Sequence, residues 1–159
     1  MTHYVGYHGT TLENAEKIRR EGFVPSKKDH WLGQGVYFYD NFSSALNYGN
    51  VVIRADIYVK QDLLLDCFSF DGKKYLKQRT QQLSINNNNN QADRYGKVLA
   101  QMVTAAKGEQ PFGFDVVRAP YHSDEIWGPL CKPFENIELH ICVKNLQCIS
   151  NISLISNIK

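Results

Sequence analysis

Tyr4-Val5-Gly6-Tyr7-His8-Gly9-Thr10-Thr11 is the stretch from which the first strand and the first turn of the chain can be predicted. Tyrosine and valine favour strands, and a glycine followed by two threonines is typical of a turn. Apolar side chains then recur at helical spacing up to Glu21, with Thr11 as a candidate N-cap and Gly22 as a candidate C-terminal stop. The sequence therefore predicts a strand, a turn and a short amphipathic helix.

The same order of strand and helix continues as far as residue 59. The run Val36-Tyr37-Phe38-Tyr39 is rich in strand-forming side chains and predicts a second strand. Asp40 or Asn41 can cap a helix over residues 43–48. Residues 51–59 alternate well enough to predict a third strand.

The second half of the chain is less strongly patterned. Apolar side chains recur at helical spacing in residues 94–107 and, more weakly, in 73–83. Asn86 to Asn90 predict a surface loop, because asparagine competes with regular backbone hydrogen bonding. Residues 148–159 fit either a last strand or a frayed end. Residues 114–118 are a strand candidate, and residues 63–65 are a short apolar segment.

Residues 137–143 show the clearest alternation in the chain. Every second side chain is a large aliphatic one, and these four are Ile137, Leu139, Ile141 and Val143. Successive side chains of a strand point to opposite faces, so the other face carries Glu138, His140 and Cys142. An acidic group beside a histidine on an otherwise apolar strand is a candidate functional pair.

Composition limits the class of protein. A chain of 159 residues has the length of one ordinary domain, and we predict a single domain over residues 1–159. The net charge of +2 gives no general attraction to nucleic acid or to acidic membranes. No segment has the pattern of a signal peptide or of a membrane-spanning helix, so we expect a cytoplasmic protein that does not bind membranes. The four cysteines lack metal-site spacing, so we expect reduced core thiols and no metal.

Glycines and tyrosines with related spacing suggest a ligand pocket. Gly33 and Gly35 allow close approach of a ligand to the backbone, and three tyrosines offer flat faces with polar ends. These tyrosines are Tyr37, Tyr39 and Tyr48. A pocket of this kind suits a planar heterocycle such as nicotinamide or adenine. The two glycines lack the third glycine of the dinucleotide fingerprint, which argues against a Rossmann domain.

Over residues 4–50 the sequence resembles the ADP-ribosyltransferases of the diphtheria-toxin and PARP type. The match keeps both order and spacing. It comprises Tyr7-His8-Gly9-Thr10-Thr11, Ala15, Ile18, Glu21-Gly22-Phe23, Leu32-Gly33-Gln34-Gly35-Val36-Tyr37-Phe38 and Ser43-Ser44-Ala45-Leu46-Asn47-Tyr48. The resemblance implies an α+β fold of two packed, mainly antiparallel β-sheets with flanking helices, and a cleft that binds NAD as co-substrate.

The resemblance also implies roles for individual residues. His8 would hold the ribose by hydrogen bonding, and the backbone of Gly9 would pair with the nicotinamide carboxamide. Tyr37 would stack on the nicotinamide ring, and Tyr48 would close the other side. The family often has a serine where this chain has Ala45. The further residues expected to bind NAD are Thr10, Gly35 and Ser44.

The family's third catalytic element is a carboxylate on a late strand, which stabilises the positive charge formed as nicotinamide leaves. Glu138 is the candidate. His140 lies two residues further along on the same face and is an alternative, and Glu125 in the preceding loop is a third. Each of the three candidates also has an ordinary structural interpretation. It is an exposed strand residue for Glu138, an edge histidine for His140 and a solvated loop charge for Glu125.

Basic residues near the site are candidates for binding the NAD diphosphate. The planar guanidinium of Arg118 suits phosphate, although an ion pair with Asp115 or Asp124 is an equal alternative. Lys27, Lys28 and His30 precede the glycine turn and fit either a phosphate contact or a solvated loop.

The activity that the resemblance implies is the transfer of one ADP-ribose from NAD to a macromolecule, with release of nicotinamide. The acceptor is protein or nucleic acid, RNA included. Resemblance also suggests a bacterial toxin of a toxin–antitoxin or antiphage system, with an antitoxin protein as its partner. Two alternatives stay open. One is an NAD-using RNA 2'-phosphotransferase, and the other is a catalytically silent module that binds NAD or ADP-ribose.

Overall fold

The computed structural model describes residues 1–26, 32–82, 113–122 and 137–155. Within these ranges the chain forms three α-helices, α1 (Leu12–Glu21), α2 (Phe42–Leu46) and α3 (Phe70–Gln82). Short 3₁₀ turns cover Gln61–Leu63 and Leu146–Cys148. The strands are β1 (Thr2–Thr10), β2 (Val36–Tyr39), β3 (Val51–Val59), β4 (Leu64–Asp66), β5 (Val116–His122), β6 (Ile137–Val143) and β7 (Ile149–Ile155).

The described strands form one sheet in the order β4-β5-β6-β2-β1-β3-β7. All neighbours are antiparallel except β4 and β5, which are parallel. The α+β class is therefore confirmed. The expectation of two separate packed sheets is wrong for the described strands, because β2 pairs with β6 on one side and meets β1 on the other.

The sheet nevertheless has a weak junction in its middle, which we call the seam. β1 pairs with β3 along its whole length, from Thr2 opposite Val59 to Thr10 opposite Val51. Between β1 and β2, in contrast, the described residues show one register pair, Tyr7 with Tyr39. The seam thus divides a four-strand half (β4-β5-β6-β2) from a three-strand half (β1-β3-β7). Along the seam, backbone groups of β2 can form hydrogen bonds with side chains instead of with β1.

Both faces of the sheet are covered. Helix α1 packs through Ala15 and Ile18 on the face that carries Phe38 and Ile141, which we call the α1 face. On the opposite face, Leu76 of α3 packs against the four-strand half, and Ala45 of α2 packs near the seam. Because the opposite face is also buried, it requires side chains that fill space and satisfy their polar atoms.

The ends of α1 follow directly from the sequence. The Thr11 side chain accepts a hydrogen bond from the Asn14 backbone N–H, and Gly22 ends the helix with a φ of 84°. A side chain at that φ would be strained, which explains the glycine. Asn41 caps α2 by accepting from the Ser44 N–H at 2.8 Å. Both predicted helix starts are confirmed, and Asn41 rather than Asp40 is the cap.

Most of the predicted strands are present, with some changes in length. β2, β3 and β6 have the predicted bounds, and β1 extends to both sides of the predicted strand. The tail forms β7, so a frayed end is wrong for residues 149–155. Helix α3 begins at Phe70, earlier than its apolar spacing predicts. The predicted helix over residues 94–107 and the loop Asn86–Asn90 lie outside the described residues.

The alternation predicted for β6 is confirmed, and the structure adds what each face contacts. Ile141 and Val143 are buried on the α1 face, whereas Cys142 packs against α3 on the opposite face. His140 is 5% exposed. Cys67, Cys142 and Cys148 are buried free thiols, as predicted, and Cys131 lies outside the described residues. No helix in the described part of the chain is long and apolar enough to cross a membrane.

Candidate functional site

His8 lies near the end of β1 and reaches across the seam. Its Nδ1 is 2.8 Å from the carbonyl oxygen of Tyr37. A carbonyl oxygen only accepts hydrogen bonds, so Nδ1 carries the proton and donates it. The rings of Phe23 and Phe38 meet the imidazole edge-on, with centroids 5.4 Å and 5.9 Å away. Neutral His8 is therefore fixed as the tautomer whose Nε2 has a lone pair and accepts hydrogen bonds.

Tyr37 is half-buried, and its hydroxyl is occupied by the glycine turn. The hydroxyl donates to the Gly33 carbonyl at 2.7 Å and accepts from the Leu32 N–H at 3.0 Å. Burial raises the pKa of this hydroxyl far above its ordinary value. Tyr37 thus stays protonated, and its role in a site comes from its ring and its backbone.

The same turn also contacts the end of β6 and Lys144, which follows it. Lys144 donates from Nζ to the Leu32 carbonyl at 2.9 Å. Gly35 has no room for a side chain, since a Cβ there would lie 2.6 Å from the Cys142 sulfur. Burial raises the pKa of the Cys142 thiol to about 11, so it stays protonated and is a poor nucleophile. The turn before β2 is therefore tied to β6, which fixes where Tyr37 sits.

Glu138 is the centre of a polar cluster on the opposite face, which we call the Glu138 cluster and which also contains Tyr48 and His140. The Tyr48 hydroxyl donates to Glu138 Oε2 at 3.0 Å, across 90 positions of sequence. Nε2 of His140 lies 3.2 Å from the same oxygen. A carboxylate only accepts, so Nε2–H of His140 donates. Two donors on one oxygen fix the orientation of the Glu138 carboxylate.

The electrostatic state of His140 follows from its burial. Burial lowers its pKa, and the hydrogen bond with Glu138 partly opposes this effect. His140 is therefore neutral at physiological pH, and it donates to Glu138 without adding a positive charge.

Tyr39, one of the three tyrosines that suggested a ligand pocket, joins this cluster. Its ring stacks on Tyr48, with centroids 4.7 Å apart and planes 14° from parallel. The His140 ring meets Tyr39 edge-on at 4.9 Å. The signal that could have located it is the β2–β6 register, which pairs Tyr39 with His140. A single sequence does not contain that register.

Tyr37 connects the two groups of predicted residues. Its carbonyl accepts from His8, while its ring meets the His140 ring edge-on at a centroid distance of 6.3 Å. The predicted residues His8, Tyr37, Tyr48 and Glu138 thus form a continuous set of contacts around the seam, with His140 included. Tyr48 is 53% exposed, so the set opens to solvent at its α2 end.

Gly9 and Thr10 end β1 in close contact with the segment that leaves α2. A Cβ on Gly9 would collide with the carbonyl oxygen of Ala45. A Cβ on Gly49 would collide with the backbone of Thr10, which is buried. Close backbone approach at both glycines sets the position of α2, and with it the position of Tyr48.

Ser44, a predicted NAD-binding residue, lies within α2. Its N–H is bonded to the Asn41 cap, and its carbonyl accepts from the Asn47 N–H at 3.2 Å. Ala45 is fully buried against β1 and β3. The backbone of Ser44 is therefore used within α2, and only its half-buried side chain can contact a ligand.

Arg118 does not fit its predicted role as a phosphate ligand. Its Nη1 lies 3.1 Å from Oδ2 of Asp66, and its guanidinium lies over the rings of Tyr4 and Phe68. The predicted ion pair is present with a partner that was not predicted, because β4 and β5 pair in parallel and bring Asp66 opposite Arg118, whereas Asp124 lies outside the described residues. This arginine stabilises the sheet edge.

Several other candidates lie outside the described residues, namely Lys27, Lys28, His30, Asp124 and Glu125. Among the described residues, no three His, Cys, Asp or Glu side chains are grouped so that they could hold a metal ion.

We expect the free energy of unfolding to fall as the pH is lowered through the ordinary histidine value of 6.5. Burial lowers the pKa of both His8 and His140, so the unfolded chain takes up protons at a higher pH than the folded one. Their contribution to stability is complete above pH 6.5 and is lost as the pH falls toward the lower folded values. Urea unfolding midpoints from about pH 8 down to about pH 5 measure the effect. A pH slope unchanged in both His8→Asn and His140→Asn would contradict it.

Comparison with known proteins adds little to these observations. No family model matches the sequence. The chain is similar to an uncharacterized protein of Methanocaldococcus jannaschii, with 53% identity over 36 residues. The match covers 21% of this chain and 17% of that protein, so the chain spans a small part of its length.

Proposed function

We propose that this protein is an NAD-dependent mono-ADP-ribosyltransferase. The observation that carries the proposal is the hydrogen bond between Tyr48 and Glu138. The sequence resemblance assigned Tyr48 and Glu138 to one site, although they lie 90 positions apart in the chain. Their contact supports the proposal, because it brings the two residues together near the Tyr37 ring, while His8 reaches the Tyr37 carbonyl from the other side of the seam.

The described residues fit the nicotinamide and ribose end of NAD. Nε2 of His8 is an acceptor, which suits a ribose hydroxyl. The rings of Tyr37 and Tyr48 are flat and polar-edged, which suits nicotinamide. The backbone at Gly9 is the candidate partner of the carboxamide. Because Arg118 pairs with Asp66, we assign no residue to the diphosphate.

Glu138 supplies the electrostatics of the proposed transfer. When the bond between the ribose carbon and the nicotinamide nitrogen breaks, its electron pair leaves with nicotinamide and positive charge develops on the ribose. The Glu138 carboxylate, held by Tyr48 and His140, stabilises that charge. An oxygen or nitrogen of the acceptor then bonds to the same carbon and loses its proton. The products are nicotinamide and a singly ADP-ribosylated acceptor.

The acceptor class and the biological setting belong to the same proposal. We propose a macromolecular acceptor, protein or nucleic acid with RNA included, and action in the cytoplasm as a toxin with a neutralising antitoxin partner. Exposure of Tyr48 supports a large acceptor, because the Glu138 cluster meets solvent at that residue.

We expect the purified protein to release nicotinamide from NAD when cell RNA or cell protein is added, and to label one of these fractions from radiolabelled NAD. His8→Ala removes the acceptor nitrogen and should lower kcat/KM by roughly 10- to 100-fold. His3→Ala is the matched control, because His3 is a half-exposed histidine on the same strand that pairs with Asp56. Equal activity of all three proteins would contradict the site.

The same experiment separates a transferase from a silent module. Calorimetry measures NAD binding independently of turnover. NAD that binds without any nicotinamide release, with either fraction present, would show that the protein is a binding module and that the proposed activity is wrong.

A further inference from the structure

Tyr39 occupies the position where the two halves of the sheet meet. It is the β2 member of the register pair with Tyr7 across the seam, and on its other side it pairs with His140 of β6. Its side chain is 7% exposed and lies in a small cluster with Ala45 and Val52.

The ring of Tyr39 touches both groups that donate to Glu138. Tyr48 covers its face, and His140 meets it edge-on. Both donors end on the same carboxylate oxygen, Oε2. A rigid flat ring between two donors sets the distance between them, and hence where their shared oxygen can lie.

We propose that Tyr39 is a positioning residue for Glu138, acting through the ring contacts that hold Tyr48 and His140 at a fixed separation. As a role in the transfer reaction this inference rests on the proposed function, whereas the placement of the carboxylate does not. A smaller or flexible side chain would leave Tyr48 without its stacking partner at the solvent side. Glu138 would then lose one donor and its fixed orientation.

Kinetics with Tyr39→Met and Tyr39→Leu test the role in the reaction. Methionine fills irregular core space without a flat face, so at least one of the two variants should remain folded. We expect kcat to fall by roughly 10- to 100-fold, a larger change than the rise in KM for NAD from the loosened Tyr48 ring, because a misplaced group costs most in the reacting geometry. Tyr39→Phe keeps the ring and should retain kcat near wild type.

The NMR titration of His140 provides a readout that does not depend on NAD. Burial lowers the pKa of His140, whereas the carboxylates of Glu138 and Asp40 raise it. A variant that merely admits water would therefore raise the pKa of His140 toward its ordinary value. A variant that releases Glu138 should instead lower it, and we expect the same direction for Glu138→Gln. The direction in which the pKa of His140 changes therefore distinguishes a variant that displaces Glu138 from one that only admits water.

Phe42→Leu is the matched control, because Phe42 packs in the same cluster and its ring meets Tyr7. It should leave both kcat and the pKa of His140 unchanged. A His140 pKa that is raised or unchanged in the Tyr39 variants, or a Tyr39→Phe variant as impaired as Tyr39→Met, would overturn the inference. If wild type turns over no NAD, the proposed function fails, and the titration alone decides whether Tyr39 positions Glu138.

Discussion

Replacing Glu138 with glutamine should lower the rate of nicotinamide release by about 10²- to 10³-fold, with KM for NAD little changed. Glutamine keeps the size of the side chain and a carbonyl oxygen that can still accept from Tyr48 and His140. What it removes is the negative charge, which matters only as positive charge develops on the ribose. Steady-state kinetics with the acceptor fraction measure the change in kcat and KM separately.

Glu13→Gln is the matched control, because Glu13 is an exposed glutamate in the first turn of α1. It should have wild-type kinetics. His140→Gln should cost less than Glu138→Gln, since His140 acts through the carboxylate. The reverse order, with His140→Gln inactive and Glu138→Gln active, would assign the third catalytic position to His140. Normal activity in both variants would leave Glu125 as the candidate.

The elements that the sequence predicts well are those whose determinants are local. α1 is fixed by the side chain of Thr11, the spacing of Ala15 and Ile18, and the positive φ of Gly22. β6 is predicted by its alternation, because four aliphatic residues at every second position share one face of a strand, and Ile141 and Val143 of that face are buried on the α1 face. Such signals lie within a few residues of each other and need no knowledge of partners.

What the sequence could not predict depends on register between distant strands. Asp66 and Arg118 meet because β4 and β5 pair in parallel, and neither residue's neighbours indicate that pairing. The role of Tyr39 depends on its place opposite His140. The continuous sheet likewise depends on β2 lying between β6 and β1, which no local pattern specifies. The resemblance selected His8, Tyr48 and Glu138 but not the residues that hold them.

Replacing Gly9 with alanine should destabilise the protein by about 3 kcal/mol, at the upper end of the cost of overpacking. The added Cβ would collide with the carbonyl oxygen of Ala45 and lie 3.3 Å from the backbone nitrogen of Gly49. Both neighbours are backbone atoms, so no side chain can rotate away. We expect α2 to shift, and with it the Tyr48 hydroxyl, so activity should fall even where the variant remains folded. Urea unfolding and nicotinamide release measure the two effects.

Replacements of two other glycines serve as controls. They separate the effect of the close approach at Gly9 from the general effects of replacing a glycine. A Cβ on Gly113 would meet nothing within 4 Å, so Gly113→Ala should be close to neutral. Gly22 also has open space but a φ of 84° and a ψ of 176°, so Gly22→Ala measures backbone strain alone, about 1–3 kcal/mol. If Gly9→Ala lowers the free energy of unfolding no more than Gly113→Ala does, α2 moves away from β1 at little energetic cost. In that case the position of Tyr48 would depend on Tyr39 and Glu138 and not on the close approach at Gly9.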